Sequence, residues 1–157
     1  MRFLRYLLAV IVSATVLIIG AGMAEADSPV QSGVYSIAND AYSSQAMEAS
    51  NIDDRVVMHT KAGILRQDWV VEPDSGTDGY TIRNRSAGTY LSVNGADAIV
   101  ATVPATWHLV MQFGGRFTIE LPDHRVLTCR GTDGAPVVLE PFEGRRDQLW
   151  RFDRHDD

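Results

Sequence analysis

The feature that most constrains this chain is a tripeptide, Gln-x-Trp, that returns at wide intervals. It occurs at Gln67-Asp68-Trp69 and Gln148-Leu149-Trp150, and a copy without the Gln occurs at Ala105-Thr106-Trp107. These copies contain every tryptophan of the protein. Trp69 and Trp107 are each followed by a short apolar run, a Gly and then an aromatic residue. The spacing lies within the roughly 20 to 50 residues of known structural repeats and predicts three similar units.

Each third of the chain begins with an aromatic residue and an Ile two positions apart, which is the period of a strand with one buried face. Further short apolar stretches follow at matching positions, separated by turn residues such as Asn94-Gly95. The pattern predicts a single all-β domain of twelve short strands. Four strands fall in each of three repeats, at about residues 33–73, 79–112 and 115–153.

The middle third is shorter than its neighbours. From the middle of the predicted third strand to the tryptophan there are 12 positions in Val57–Trp69 and in Val138–Trp150, but only 7 in Val100–Trp107. A loop and the Gln are therefore missing together. If a ligand uses that loop, only the first and last thirds can bind it.

The N-terminal residues have the pattern of a secretory signal peptide. Arg2 and Arg5 give a positive start, residues 7–19 are apolar, and Ala24-Glu25-Ala26 supplies small residues where a signal peptidase cleaves. We expect cleavage after Ala26, which leaves a secreted domain of residues 27–157. The alternative is a retained membrane anchor, because the uncharged run approaches the roughly 20 residues that span a bilayer.

Charge and residue types exclude several classes of function. Without Arg2, Arg5 and Glu25 the net charge is about −7, which opposes binding to nucleic acids or to anionic membranes. Cys129 is the single cysteine, so no intrachain disulfide can form. The four His residues show no metal-ligand spacing, and no nucleophile or phosphate-loop motif is present. We therefore expect a monomer that is not an enzyme and has no metal or cofactor.

Together these motifs resemble the β-trefoil, in which three four-stranded repeats form a barrel capped by hairpins. Two of its families are similar to this chain. The Gln-x-Trp repeat is typical of ricin-B-type lectins. The phrase Gly79-Tyr80-Thr81-Ile82-Arg83-Asn84 and the closing Gln148-Leu149-Trp150-Arg151-Phe152 look like the disulfide-free, cospin-like serine protease inhibitors of mushrooms.

The repeated tryptophans, Trp69, Trp107 and Trp150, are interpreted first as core residues. A Trp side chain buries about 150 to 250 Å². At about 25 cal/mol per Å², each copy contributes roughly 4 to 6 kcal/mol of gross burial. The Gln two positions earlier can bridge backbone groups of the irregular loop before the strand. The Gln-x-Trp motif by itself is therefore evidence for the fold and not for a direct role in ligand binding.

The resemblance to cospin-like inhibitors implies a protease-binding loop between the second and third strands of the first repeat, with an Asn in the specificity position. The matching loop is Ser50-Asn51-Ile52-Asp53-Asp54-Arg55. Asn51, Ile52 and Arg55 are the predicted contacts with a serine protease, which is the first functional hypothesis. A loop that the barrel holds rigidly in an extended shape would lose little entropy on binding.

The resemblance to ricin-B-type lectins implies a sugar site that needs an Asp at the end of the second strand and an aromatic residue at the end of the third. The first position reads Glu48, Ser92 and Thr128 in the three repeats, and the second reads approximately His59, Thr102 and Glu140. Only the first repeat keeps both a carboxylate and a ring. Carbohydrate binding by Glu48, His59 and Gln67 is the alternative hypothesis. Separately, Asn84-Arg85-Ser86 is a glycosylation sequon in a predicted turn.

Overall fold

The computed structural model describes residues 29–155, and the predicted signal peptide lies outside this range. The twelve predicted strands are present, and three 3₁₀ turns are the helical elements of the described chain. The 3₁₀ turns are Leu65–Gln67, Phe113–Gly115 and Arg146–Gln148. The strands are β1 Gly33–Asn39, β2 Gln45–Ala49, β3 Val56–Thr60, β4 Asp68–Pro73, β5 Tyr80–Asn84, β6 Tyr90–Asn94, β7 Asp97–Ala101, β8 His108–Met111, β9 Phe117–Glu120, β10 Arg125–Cys129, β11 Val137–Pro141 and β12 Trp150–Arg154.

All strand pairs are antiparallel, and the sheet closes because β1 pairs with both β4 and β12. The second and third strands of each repeat form a hairpin: β2 with β3, β6 with β7, and β10 with β11. These hairpins also bond to one another across the repeats. Val100 N donates to Asp54 O at 2.7 Å, Leu139 N to Ala96 O at 2.7 Å, and Met58 N to Ala135 O at 2.9 Å.

The three tryptophans lie in the core and are fully buried. Each indole N–H donates to a backbone carbonyl in the second strand of its own repeat. Trp69 Nε1 bonds to Met47 O at 3.0 Å, Trp107 Nε1 to Leu91 O at 3.0 Å, and Trp150 Nε1 to Leu127 O at 2.9 Å. The residue after each acceptor is therefore equivalent in the three repeats, which aligns Glu48 with Ser92 and Thr128.

The hairpin register corrects one detail of the sequence alignment. Glu48 pairs with Val57 and Thr128 pairs with Val138, but Ser92 pairs with Ile99 and not with Val100. The position equivalent to His59 in the middle repeat is therefore Ala101, not Thr102. The link from Ile99 to Trp107 spans 8 positions, which is still four fewer than in the other two repeats.

Candidate functional site

The Gln67 side chain organises the link between β3 and β4. Its Oε1 accepts a hydrogen bond from Ala62 N at 2.8 Å, and its Nε2 donates to Thr60 O at 2.9 Å. Nε2 also donates to Glu48 Oε2 at 2.9 Å. The Gln67 amide is buried, and these bonds satisfy its own donor and acceptor atoms. The same amide thereby fixes the position of the Glu48 carboxylate.

Glu48 is a largely buried carboxylate at the end of β2, with 7% of its side chain exposed. Besides the bond from Gln67, its Oε1 accepts from Arg66 Nε at 3.3 Å. A carboxylate offers about four lone-pair positions, and these two bonds leave acceptor capacity for a ligand hydroxyl.

The walls of the site come from two other parts of the molecule. Glu48, Asn51 and His59 all line two adjoining cavities of about 240 and 390 Å³, which together we name the first-repeat groove. On one side stands the loop 50–55. On the other, the β10–β11 turn of the third repeat contributes Asp133 and Gly134.

Asp133 was not predicted from the sequence, because only the folded chain brings the β10–β11 turn to the end of β3. Its Oδ1 accepts from Thr60 Oγ1 at 3.1 Å and from Gln45 Nε2 at 3.3 Å. Both bonds hold the pKa of Asp133 below its ordinary value, and the bond from Thr60 has the larger effect. The groove therefore contains a second carboxylate that accepts hydrogen bonds.

The predicted protease-binding loop forms the other rim of the groove. Ser50 N donates to Arg55 O at 2.9 Å, and Ser50 Oγ accepts from Ile52 N at 3.2 Å. Arg55 Nε bonds to Asp53 Oδ2 at 2.8 Å. Ile52 projects from the tip with 90% of its surface exposed. Residues 51–54 form bends, so the loop is not in the extended shape expected of a substrate-like segment.

Asn84, predicted as a glycosylation site, is fully buried in the structure. Its Nδ2, the atom that would carry a glycan, donates to Arg66 O at 2.9 Å, and its Oδ1 accepts from Ser86 N at 3.0 Å. In the folded chain this atom is therefore buried and hydrogen-bonded, and glycosylation of Asn84 stays a prediction. A sequon is defined by residue types alone and does not show whether the Asn is buried. Here the Asn84 side chain is buried where it bonds to the 3₁₀ turn Leu65–Gln67.

The third repeat keeps the scaffold of the groove but not its carboxylate. Gln148 Oε1 accepts from Glu143 N at 2.8 Å, and its Nε2 donates to Pro141 O at 2.8 Å. Where Glu48 would stand, the buried Thr128 hydroxyl accepts from Gln148 at 3.3 Å. Glu140, which replaces His59, is paired with arginines. The structure thus brings together Glu48, Asn51, His59 and Gln67 in the first repeat alone.

Two further observations concern other classes of site. Among residues 29–155, no group of three or more His, Cys, Asp or Glu side chains is placed to hold a metal ion. In the same part of the chain, no helix is long and apolar enough to cross a bilayer.

Solved structures place this architecture among known folds. A ricin B-like lectin from Macrolepiota procera in complex with lactose has a TM-score of 0.73 at 23% identity, over 80% of this chain and 98% of that one. The Rhizoctonia solani agglutinin has a TM-score of 0.72 at 18% identity, over 80% and 97%. The designed threefold-symmetric protein ThreeFoil has a TM-score of 0.67 at 22% identity, over 78% and 99%. The fold is a β-trefoil.

The trefoil assignment confirms the fold predicted from the repeats. No family model and no curated protein sequence matches the chain. At these identities the solved structures establish the trefoil architecture alone.

Proposed function

We propose that this trefoil is a carbohydrate-binding protein whose site is the first-repeat groove. The observation that carries the proposal is the Glu48 carboxylate, held by Gln67 and Arg66 at the edge of a groove that also contains His59 and Asn51. It also draws support from the similar lectin that was solved with lactose.

The groove has the chemistry that recognition of a neutral sugar requires. Sugars present many hydroxyl donors, and Glu48 and Asp133 offer carboxylate acceptors, whose hydrogen bonds are stronger than those of neutral groups. The Asn51 amide can both donate and accept. The His59 ring and the Pro136 ring, which also lines the groove, provide apolar surface for the C–H face of a sugar.

The test is a titration of the secreted domain with lactose by calorimetry, after a glycan array has ranked other saccharides. Replacing Glu48 by Gln removes the charge but keeps a side chain of similar size. Bonds to a charged acceptor contribute about 1.5 to 3 kcal/mol. Glu48→Gln should therefore weaken binding about 10- to 100-fold. Glu72→Gln, an exposed site on β4, is the matched control and should bind as the wild type does. A wild-type protein that binds no saccharide would refute the proposal.

A second candidate function is protease inhibition by the loop 50–55, which was the first hypothesis from the sequence. The observation that favours it is the tip residue Ile52, which stands exposed on a loop whose ends are fixed. Ser50 is bonded to Arg55, and Asp54 O accepts from Val100 N. The bent backbone and the pairing of Arg55 with Asp53 favour it less.

Protease inhibition is tested with a panel of trypsin-like, chymotrypsin-like and asparaginyl proteases. If the loop inhibits one of them, Asn51→Ala or Arg55→Ala should raise the inhibition constant at least tenfold with the fold intact. Arg125→Ala, outside the loop, is the control. The absence of inhibition at micromolar protein concentration would eliminate this candidate.

Secretion after cleavage behind Ala26 is part of the same proposal, since carbohydrate or protease partners would then be met outside the cell. Expression of the full chain in a secreting host should release a product that begins at Asp27. A product retained in the membrane fraction with its N-terminus intact would favour the anchor instead.

A further inference from the structure

A third cavity, of about 310 Å³, lies where the first and second repeats meet. Its lining combines the loop 50–55 and Arg66 of the first repeat with the β5–β6 turn of the second, including Ala87 and Thr89. We name it the inter-repeat cavity. The part of its lining that comes from the second repeat is used by neither of the functions considered above.

The inter-repeat cavity adjoins the first-repeat groove. Asn51 lines all three cavities, and Arg66 lines both the inter-repeat cavity and the part of the groove that contains Gln67. A ligand that lies in the groove against Asn51 is therefore at the entrance of the inter-repeat cavity. The groove cavities and the inter-repeat cavity each lie near the lower end of the roughly 300 to 1,000 Å³ typical of small-molecule sites.

The wall of the inter-repeat cavity is mixed, with apolar side chains such as Val100 beside polar groups. Ser86 contributes a hydroxyl, and the Thr89 hydroxyl has no hydrogen-bond partner among the described residues. A buried hydroxyl without a partner costs free energy. A group bound in the cavity would supply one after rotation of the Thr89 side chain, and such rotamer changes are common on binding.

The charges around the inter-repeat cavity select against anions. Asp53 and Asp54 lie on the loop side of the cavity. The hydrogen bond from the Arg55 side chain is the main reason that the pKa of Asp53 lies below its ordinary value. The one guanidinium in the lining, Arg66, is already paired with Glu48 at 3.3 Å. A neutral sugar unit fits this surface better than a sialylated or sulfated one.

We infer that the first-repeat groove and the inter-repeat cavity form one extended site for a neutral oligosaccharide, with adjacent sugar units on either side of Asn51. This inference rests on the proposed carbohydrate-binding function and adds the length and charge of the ligand.

The test compares galactose, lactose, a neutral tetrasaccharide that ends in lactose and sialyllactose, each titrated against the wild type and two variants. Ala87→Trp places an indole at an exposed turn residue that lines the inter-repeat cavity, and Ala87→Ser is its small control. In the wild type the best neutral oligosaccharide should bind at least tenfold more tightly than galactose. Ala87→Trp should remove that gain and leave galactose binding unchanged, whereas Ala87→Ser should keep the gain.

The outcomes separate the inference from the function on which it rests. If galactose binds through Glu48 but the neutral oligosaccharides bind no better, or if Ala87→Trp leaves their gain intact, the extended site is wrong and the first-repeat groove stands. Tighter binding of sialyllactose than of lactose would overturn the neutral-ligand inference. If no saccharide binds, both the groove and the extended site are refuted.

Discussion

At the scale of single residues, the two buried glutamines show how one motif serves two purposes. Gln67 and Gln148 make the same pair of bonds to backbone groups of the preceding link. They differ in the third partner, which is the Glu48 carboxylate in one repeat and the Thr128 hydroxyl in the other. The motif itself therefore specifies the scaffold. Glu48, the residue that the proposed carbohydrate-binding function requires, lies in β2, well before the motif in sequence.

Gln67→Ala is predicted to destabilise the protein by about 2 to 3 kcal/mol. The substitution removes part-buried bonds to Thr60 O and Ala62 N and a buried donor to the Glu48 carboxylate. Most of the cost comes from the Glu48 carboxylate, because a buried group that loses its partner costs roughly 1 to 3 kcal/mol. Equilibrium unfolding in urea measures the change. Gln112→Ala, at a half-buried glutamine outside the motif, is the control. A loss below 0.5 kcal/mol, on the order of the usual surface effect, would show that the amide is not needed for the fold.

At the scale of elements, the 3₁₀ turn and the asparagine that closes it behave as one unit. Asn84 bonds to the turn that contains Arg66, and Asn39 bonds in the same way to Asp147 O at 2.9 Å in the turn of the third repeat. In each case the Asn belongs to a neighbouring repeat. The middle repeat lacks the turn before its tryptophan, and the matching position in the third repeat, where an Asn would bond to it, is Leu121. The sequence showed that a loop and a Gln are missing together; it did not show that an Asn is missing with them.

Asn84→Ala should cost about 1 to 3 kcal/mol of unfolding free energy, because Arg66 O would lose its buried partner. Asn94→Ala, at the exposed end of β6, should change stability by about 0.5 kcal/mol or less. Thermal and urea unfolding give both values. Mass spectrometry of protein from a eukaryotic host adds an independent check, since folded protein that carries a glycan at Asn84 would contradict the buried assignment.

At the scale of the whole molecule, the fold could be predicted because each of the three repeats carries the same local sequence pattern of strands, turns and a tryptophan. The candidate site could be predicted only in part. Glu48, His59 and Gln67 stand at positions that the resemblance to ricin-B-type lectins implies. Asp133, by contrast, enters the groove from the third repeat, and the inter-repeat cavity needs two repeats in contact. Such contacts depend on tertiary packing, and the sequence pattern of a single repeat contains no information about them.

The ion pair between Lys61 and Asp153 joins distant parts of the chain, and it predicts that the free energy of unfolding depends on pH. Hydrogen bonds from Arg151, and then from Lys61, lower the pKa of Asp153 to about 2. Since this folded-state pKa lies below the unfolded value of about 3.9, the stabilisation is present above about pH 4 and is lost as the pH falls towards 2. The side chain is 36% exposed, so solvent screening reduces the contribution to about 1 kcal/mol.

Asp153→Asn should therefore lower the unfolding free energy by about 1 kcal/mol at pH 7 and by almost nothing at pH 2. Urea unfolding across this range measures the difference from the wild type. Asp97→Asn, at an exposed position, provides the comparison at each pH. A difference between wild type and Asp153→Asn that stays constant with pH would rule out the ion pair as its cause.

The most direct test of the carbohydrate site is to observe where a saccharide binds. Titration of the isotopically labelled domain with lactose, followed by amide and side-chain NMR, should shift the signals of Glu48, Asn51, His59 and Gln67 together with Asp133. The signals of Thr128, Glu140 and Gln148 in the third repeat should stay in place. Glu48→Gln should strongly reduce the shifts at the same lactose concentration. Shifts centred on the third repeat, or no shifts with any saccharide selected by the array, would contradict the first-repeat groove as the binding site.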